Sequence, residues 1–277
     1  MREISTNIVT IEPYRGVTLA PLGDLGSYRE LLLFLVWRDL KVRYRQTLLG
    51  VFWVILQPLL IMGLYSVIFG SFVKPPQGGG YPYELFVLAG IIPWGFFSSA
   101  VSDSSNSLLG NAQLIGKVYF PRILLPLSRI LVLLCDCTIA TGLLLVVALC
   151  FGIRVSGALL LVPLAVLLCA LLSLGMGALF SALNVRYRDF SYIVPFGLQV
   201  WMFCTPIIYP SEAIPTRFRW IIDLNPMTGI VDLYRAAFLG AALSPAALIY
   251  SVCTTLAALA GGYWYFSRTE YRFVDII

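Results

Sequence analysis

The apolar positions of this chain fall in long unbroken runs, unlike the alternating or every-third-residue patterns of a fold built for water. Runs of about 17–25 apolar residues, long enough to cross a hydrocarbon core as a helix, occupy residues 50–72, 85–101, 130–151, 158–183, 192–209 and 246–266. The second and fifth are short and polar-edged. Pro58, Pro93, Pro163, Pro195 and Pro206 fall inside these runs, which spanning helices tolerate where neighbours take up the freed carbonyls. No repeat of about 20–50 residues interrupts the pattern. It predicts an all-α integral membrane protein with six transmembrane helices.

The polar flanks give the orientation. Fourteen of the nineteen Lys and Arg lie on one side of the predicted spans, seven of them in the N-terminal segment. The other side holds Lys74, Arg154, Arg217, Arg219 and Arg235. The excess of basic loop residues on the cytoplasmic side predicts both termini inside. Residues 1–20 are mixed polar and include Glu3 and Glu12, so no cleaved signal peptide is expected and the first span directs insertion. The organisation is then a cytoplasmic segment, 1–48, and a six-span domain, 49–277.

Two segments fit neither span nor solvated loop. Residues 28–45 combine an apolar stretch ending at Trp37 with Arg38, Lys41, Arg43 and Arg45, which suits an amphipathic helix lying in the cytoplasmic interface. The same charges also serve the positive-inside rule without any further role. Residues 210–244 carry Trp220, Ile221, Ile222, Ile230, Val231 and Leu233 but break at Asp223, Asn225 and Pro226. Two short re-entrant external helices between spans five and six fit better than a loop. Irregular backbone at that depth needs protein or a water-filled cavity around it.

Composition sharpens the picture. Of 277 residues 59% are hydrophobic and 12% charged, with a mean hydropathy of +0.87, where a soluble domain carries about 25% charged. The net charge of +5 is scattered, which excludes a nucleic-acid footprint. Histidine is absent, so no imidazole base or His metal ligand exists. The six cysteines lie in apolar runs, and Cys135 and Cys137, two apart on a helix, point to nearly opposite faces. They read as small apolar fillers. The nearest approach to a phosphate-binding loop, residues 110–118, has five residues between Gly110 and Gly116-Lys117 and a valine where magnesium needs Ser or Thr. It is a chance match, and nothing else in the chain suggests ATP hydrolysis.

Asp136 is a carboxylate about 9 Å into the third run, counting 1.5 Å per residue. Such a group is costly in a membrane and points to function. No Lys or Arg within another run can pair with it. A hydrogen bond between helices, a wet cavity and a direct transport role are the three readings. The abundant aromatics, 14% of the chain, serve either as interfacial belts or as a sugar-stacking lining. Gly175, Ala178 and Ala182 share a helical face, with Gly177 beside them, which permits close helix approach.

The segment Trp37-Arg38-Asp39-Leu40-Lys41-Val42-Arg43-Tyr44-Arg45-Gln46-Thr47-Leu48-Leu49-Gly50, running into Trp53 and Gln57-Pro58, resembles the start of polysaccharide-export ABC transporter permeases. So do Lys117-Val118-Tyr119-Phe120-Pro121-Arg122, Asn184-Val185-Arg186-Tyr187-Arg188-Asp189, and Asn225-Pro226-Met227 followed by Leu233-Tyr234-Arg235. The four matches run in the family's order from Trp37 to Arg235; the first 36 residues and the C-terminal tail carry none.

The resemblance implies a six-span permease domain of an exporter of O-antigen, capsule or teichoic-acid chains. It implies a homodimer with two copies of a separate ABC ATPase subunit, in the cytoplasmic (inner) membrane of a bacterium. No cofactor is expected on this chain, since ATP and magnesium belong to the ATPase. The substrate implied is a glycan on a polyprenyl-phosphate carrier. Lys117, Tyr119, Phe120, Pro121 and Arg122 would form the coupling helix, and Arg38, Lys41, Arg43 and Arg45 would meet the lipid headgroup. Phe52, Tyr65, Phe69, Trp94 and Trp201 are candidates for the channel lining, and Asn225, Pro226 and Arg235 for the external gate. Two other readings stand beside this one. An ABC exporter of drugs or small lipids should have a narrower, less aromatic cavity. An integral membrane glycosyl- or phosphotransferase needs clustered acids for a metal, whereas Asp39, Asp103, Asp189 and Asp223 stand singly in the sequence.

Overall fold

A computed structural model of the chain describes residues 26–45, 50–70, 81–153 and 157–273, with the backbone alone at Glu212 and Thr216. The predicted absence of a leader at residues 1–20, residues 46–49 of the first motif, the loop charges Lys74 and Arg154, and the tail beyond Phe273 lie outside the described residues. Among the described residues the regular structure is helical throughout. The helices are α1 (Arg29–Arg45), α2 (Phe52–Phe69), α3 (Tyr83–Ser105), α4 (Ala112–Ile115), α5 (Leu124–Cys150), α6 (Leu161–Arg186), α7 (Phe190–Phe203), α8 (Arg219–Asp223), α9 (Pro226–Leu239) and α10 (Pro245–Thr269).

Among the described residues five helices are long and apolar enough to cross a membrane: α2, α3, α5, α6 and α10. The fifth predicted run departs from expectation. Its helix, α7, stops at Phe203 after 14 residues, about 21 Å at 1.5 Å per residue, short of the roughly 30 Å core. The cause is local. Pro206 cannot donate a helical hydrogen bond and disfavours helix at Thr205, so residues 204–210 leave the helix in a series of bends.

The second run departs the other way. Read as short and polar-edged, it forms a 23-residue helix at the centre of the molecule, with α2, α5, α6, α7 and α9 packed around it. In its most apolar stretch 78% of residues are buried, against none in α2. A helix surrounded by protein can carry Ser102, Asp103, Ser104 and Ser105 past the hydropathy boundary at Val101, because those groups meet polar partners rather than lipid.

The small-residue face of α6 lies against α10. A Cβ on Gly175 would come within 2.6 Å of the Ala258 backbone, and one on Gly262 would overlap the Gly175 carbonyl. Gly177 is similarly close to Ser104 of α3. Glycine is required there for the backbones to meet. A second, smaller apolar cluster gathers Leu35, Ile115, Phe120, Ile123, Val185, Phe266 and Phe273 at the end of the bundle that carries α1, α4 and the Tyr187–Phe190 turn. This is called the basic end below.

Candidate functional site

Three arrangements of polar side chains stand out, and α1 builds the first. Its inner face packs on α5, with Leu35 and Asp39 buried. Asp39 sits between Arg38 (2.9 Å) of its own helix and Arg129 (3.4 Å) of α5. Arg38 also donates to Asn111 Oδ1 at 2.9 Å, just before α4. One and a half turns along α1, Arg43 pairs with Asp136 of α5 at 2.9 Å and with Asp103 of α3 at 3.5 Å. The Tyr44 hydroxyl donates to Asp136 as well. Burial, and then that hydrogen bond to a carboxylate, hold the Tyr44 phenol well above its ordinary pKa.

These contacts revise two expectations. Asp136 does have a cationic partner, supplied from α1 rather than from another span. Asp39, Asp103 and Asp136, dispersed in sequence, are gathered along α1 in two clusters, Arg38–Asp39–Arg129 and Asp103–Arg43–Asp136. Each acid is engaged by arginine, and no metal-binding group of acids or cysteines occurs among the described residues. Of the four headgroup candidates, Arg38 and Arg43 are thus occupied by protein carboxylates. Lys41, 5.1 Å from the Trp37 ring, and Arg45 are exposed. Leu33, Phe34, Trp37 and Val42 form an exposed apolar face on the same helix.

Beside the second cluster opens a half-open cavity of about 530 Å³ between α1, α2, α3, α5 and α7. Arg43, Tyr44 and Asp136 line it together with Gln57, Ser98 and Ser99, and its apolar wall includes Trp53, Trp94, Phe96, Ile91 and Leu133. Of the five aromatic candidates, Trp94 is in this lining. Phe52 is exposed, Tyr65 and Phe69 pack on each other at 6.0 Å, and Trp201 stacks edge-on against Phe97 at 5.2 Å. Trp201 lines a separate hollow of about 350 Å³ with Trp220, Leu224 and Asn225. With hydroxyls, an amide and aromatic faces, and with its one guanidinium paired to Asp136, the cavity offers hydrogen bonds and stacking to a polyhydroxylated ligand.

The second arrangement closes the break after α7. Residues 204–210 expose carbonyls that a helix would have used, and side chains take them up. Arg235 Nη2 donates to Ile207 O at 2.9 Å, Tyr83 Oη to Ile208 O at 2.7 Å, and Asn225 Nδ2 to Cys204 O at 3.1 Å. Asn225 Oδ1 accepts from the Trp201 indole and from Met227 N, which makes it the N-cap of α9, with Pro226 at the first helical position. Arg235 is 3% exposed and stacks 3.6 Å over the Phe86 ring. Asn225 and Arg235, expected at a gate, are buried members of a clamp on irregular backbone; Gly240, at φ +66°, ends α9 in the left-handed conformation.

The third is the loop 117–122. The coupling segment was expected to be a short helix, but the helix lies just before it, at α4. Gly116 ends α4, and Pro121 disfavours helix at Phe120. Lys117, Val118 and Tyr119 are exposed, Tyr119 at 70%, whereas Phe120 is 3% exposed and belongs to the basic-end cluster. Pro121 is half-buried, and Arg122 bonds to Glu270.

Tyr44, Tyr83, Asn111 and Glu270 were missed by sequence reasoning. Tyr44 lay inside a recognised motif, but nothing in the order of residues places position 44 beside 136.

The ABC-2 type transporter family model matches residues 30–239. The O-antigen export system permease protein RfbA of Klebsiella pneumoniae is 32% identical over 259 residues, covering 92% of this chain and 97% of that protein. The protein of the same name from Myxococcus xanthus is 34% identical over 217 residues, 78% of this chain and 82% of its own length. The polysialic acid transport protein KpsM of Escherichia coli is 26% identical over 229 residues, 80% and 86% of the two chains. The chain belongs to the ABC-2 type transporter family.

Proposed function

We propose that this ABC-2 type transporter is the membrane-spanning permease subunit of an ATP-driven polysaccharide exporter. The observation that carries the reading is its similarity, over nearly the full length of both chains, to O-antigen export permeases. The cavity beside Arg43 supports it, because hydroxyls, an amide, a carboxylate and tryptophan faces suit a sugar better than an apolar drug. The substrate is a glycan or teichoic-acid-like polymer on a polyprenyl-phosphate carrier. Lys41 and Arg45 on α1 attract its anionic headgroup, each worth about 1 kcal/mol near the surface. Arg38 and Arg43 act there only on release from their carboxylates.

In the working assembly two copies of the chain pair with two copies of an ABC ATPase subunit, which binds ATP and magnesium. The basic end faces the cytoplasm of a bacterium, with both termini inside, and the protein resides in the inner membrane. α7 and the clamped segment 204–210 make the sixth crossing, α1 lies in the interface, and α8 and α9 re-enter from outside. The loop 117–122 receives the ATPase through Tyr119. The clamp of Asn225 and Arg235 fixes the outer mouth of the path, where Pro226 starts α9.

Deleting the gene in its host and labelling surface carbohydrate on intact cells tests this reading. The expected result is loss of surface polymer with lipid-linked glycan accumulating inside, restored by the parent gene. Normal surface polymer together with sensitivity to small amphipathic drugs would favour an exporter of drugs or small lipids instead.

A further inference from the structure

We infer that Glu270, just past α10, is a positioning residue that fixes the loop 117–122 for its partner ATPase. The inference rests on the proposed role of that loop. The backbone bonds of α4 run out where Val118 donates to Leu114, and those at the start of α5 resume where Leu124 donates to Pro121. Between them the chain is held at two points. Phe120 is buried beside Phe266 and Phe273, and Arg122 is bracketed by Glu270.

The bracket is reciprocal. The Arg122 backbone N–H donates to Glu270 Oε1 at 2.8 Å, and the Arg122 guanidinium donates to the Glu270 backbone carbonyl. The guanidinium also lies over the Phe273 ring at 6.0 Å, and that ring meets Phe266 edge-on at 5.4 Å. Each side chain satisfies a main-chain group of the other, so the pair fixes backbone position rather than merely neutralising charge. With Phe120 pointing inward on one side and Arg122 pinned on the other, Val118 and Tyr119 project outward, 51% and 70% exposed. The loop is thereby seated on the end of α10, which packs along α6 through Gly175 and Gly262. A push on Tyr119 reaches α10 as well as α5.

The experiment uses the assembled transporter in native membranes, with a photo-crosslinking amino acid replacing Tyr119. Cross-link yield to the ATPase subunit and surface polymer are both read. Glu270→Ala removes the acceptor for the Arg122 N–H; leaving that donor unpaired lowers the ratio of seated to unseated loop about tenfold, so cross-link yield and export should fall, by up to that factor. Glu270→Gln keeps an acceptor oxygen in place and should match the parent. Phe273→Leu should give an intermediate loss, and it carries the same test if Glu270→Ala does not accumulate. If Glu270→Gln fails as badly as Glu270→Ala, charge and not position is what matters, and the inference falls. If both Glu270→Ala and Phe273→Leu cross-link and export like the parent, the bracket is dispensable and the inference falls while the coupling role stands. Absence of any cross-link in the parent overturns both.

Discussion

Arg43 reaches from α1 to Asp136 of α5 at 2.9 Å, so a carboxylate within a helix long and apolar enough to cross a membrane draws its counter-ion from the basic helix that precedes the bundle in the chain. The Asp136 side chain is 12% exposed and that of Arg43 40%, which leaves the pair at the edge of the cavity rather than sealed in the core. The contact ties α1 to α5, and any motion of α1 must either carry α5 with it or separate the pair.

Removing both partners should therefore cost less than the sum of the single removals. Arg43→Leu leaves Asp136 and Asp103 without this cation and Asp136→Leu leaves Arg43 to Asp103 alone, whereas in the double variant the 2.9 Å contact is already gone when the second residue is replaced. A coupling energy of about 1–2 kcal/mol is expected for this partly exposed pair, below the range of fully buried ones. Thermal unfolding of the four detergent-purified proteins measures it, and additive single effects would mean that the pair contributes no coupling.

Tyr44 adds a pH signature. Its folded-state pKa is raised, so the stability from its hydrogen bond is fully present below the unfolded value near 10 and is lost only as pH rises through the higher folded value. The cost of Tyr44→Phe should accordingly be constant from pH 6 to pH 9, about 1 kcal/mol or somewhat more for a bond to a charged group. A cost that disappears by pH 8 in unfolding measurements would mean that the phenol ionises early.

Tyr119 and Phe120 should separate cleanly despite adjacency. Phe120→Ala empties a buried site in the basic-end cluster and should destabilise the protein by about 3–5 kcal/mol. Tyr119→Ala, at an exposed position, should leave the melting temperature nearly unchanged while reducing association with the ATPase. Co-purification of the ATPase with each variant, alongside a melting curve, distinguishes the two effects.

Gly175→Ala should strain the α6–α10 contact because its Cβ has backbone atoms in the way and no flexible side chain to displace. Gly261→Ala, with nothing within 4 Å, is the matched control and should be tolerated. Monodispersity on size-exclusion chromatography of the two variants reads the difference; equal profiles would show that the helices can part without cost.

Arg235→Lys should fail where charge alone would predict success. Arg235 caps the Ile207 carbonyl while its plane lies on Phe86, and an ammonium cannot do both. Loss of folded protein with lysine, and no rescue by added salt, is the expected outcome in expression trials.

The sequence by itself determined that this is a helical membrane protein of the polysaccharide-export kind, because apolar run length and four ordered motifs are linear properties. It also located the break at Asn225-Pro226, since an N-cap and a helix-starting proline act within a few residues. The tertiary structure alone decided which helix is central. Hydropathy cannot tell a polar edge facing protein from one facing water, so the chain that becomes α3 read as marginal and proved the most enclosed of the five long apolar helices. It alone decided that Arg43 faces Asp103 and Asp136 and that Arg129 faces Asp39, for charges 60 to nearly 100 positions apart in sequence meet only when α1 folds back along α5. And it alone turned Phe120 inward and Tyr119 outward: an irregular loop has no period that assigns adjacent aromatics to faces, and packing against Phe266 and Phe273 gives these two opposite tasks.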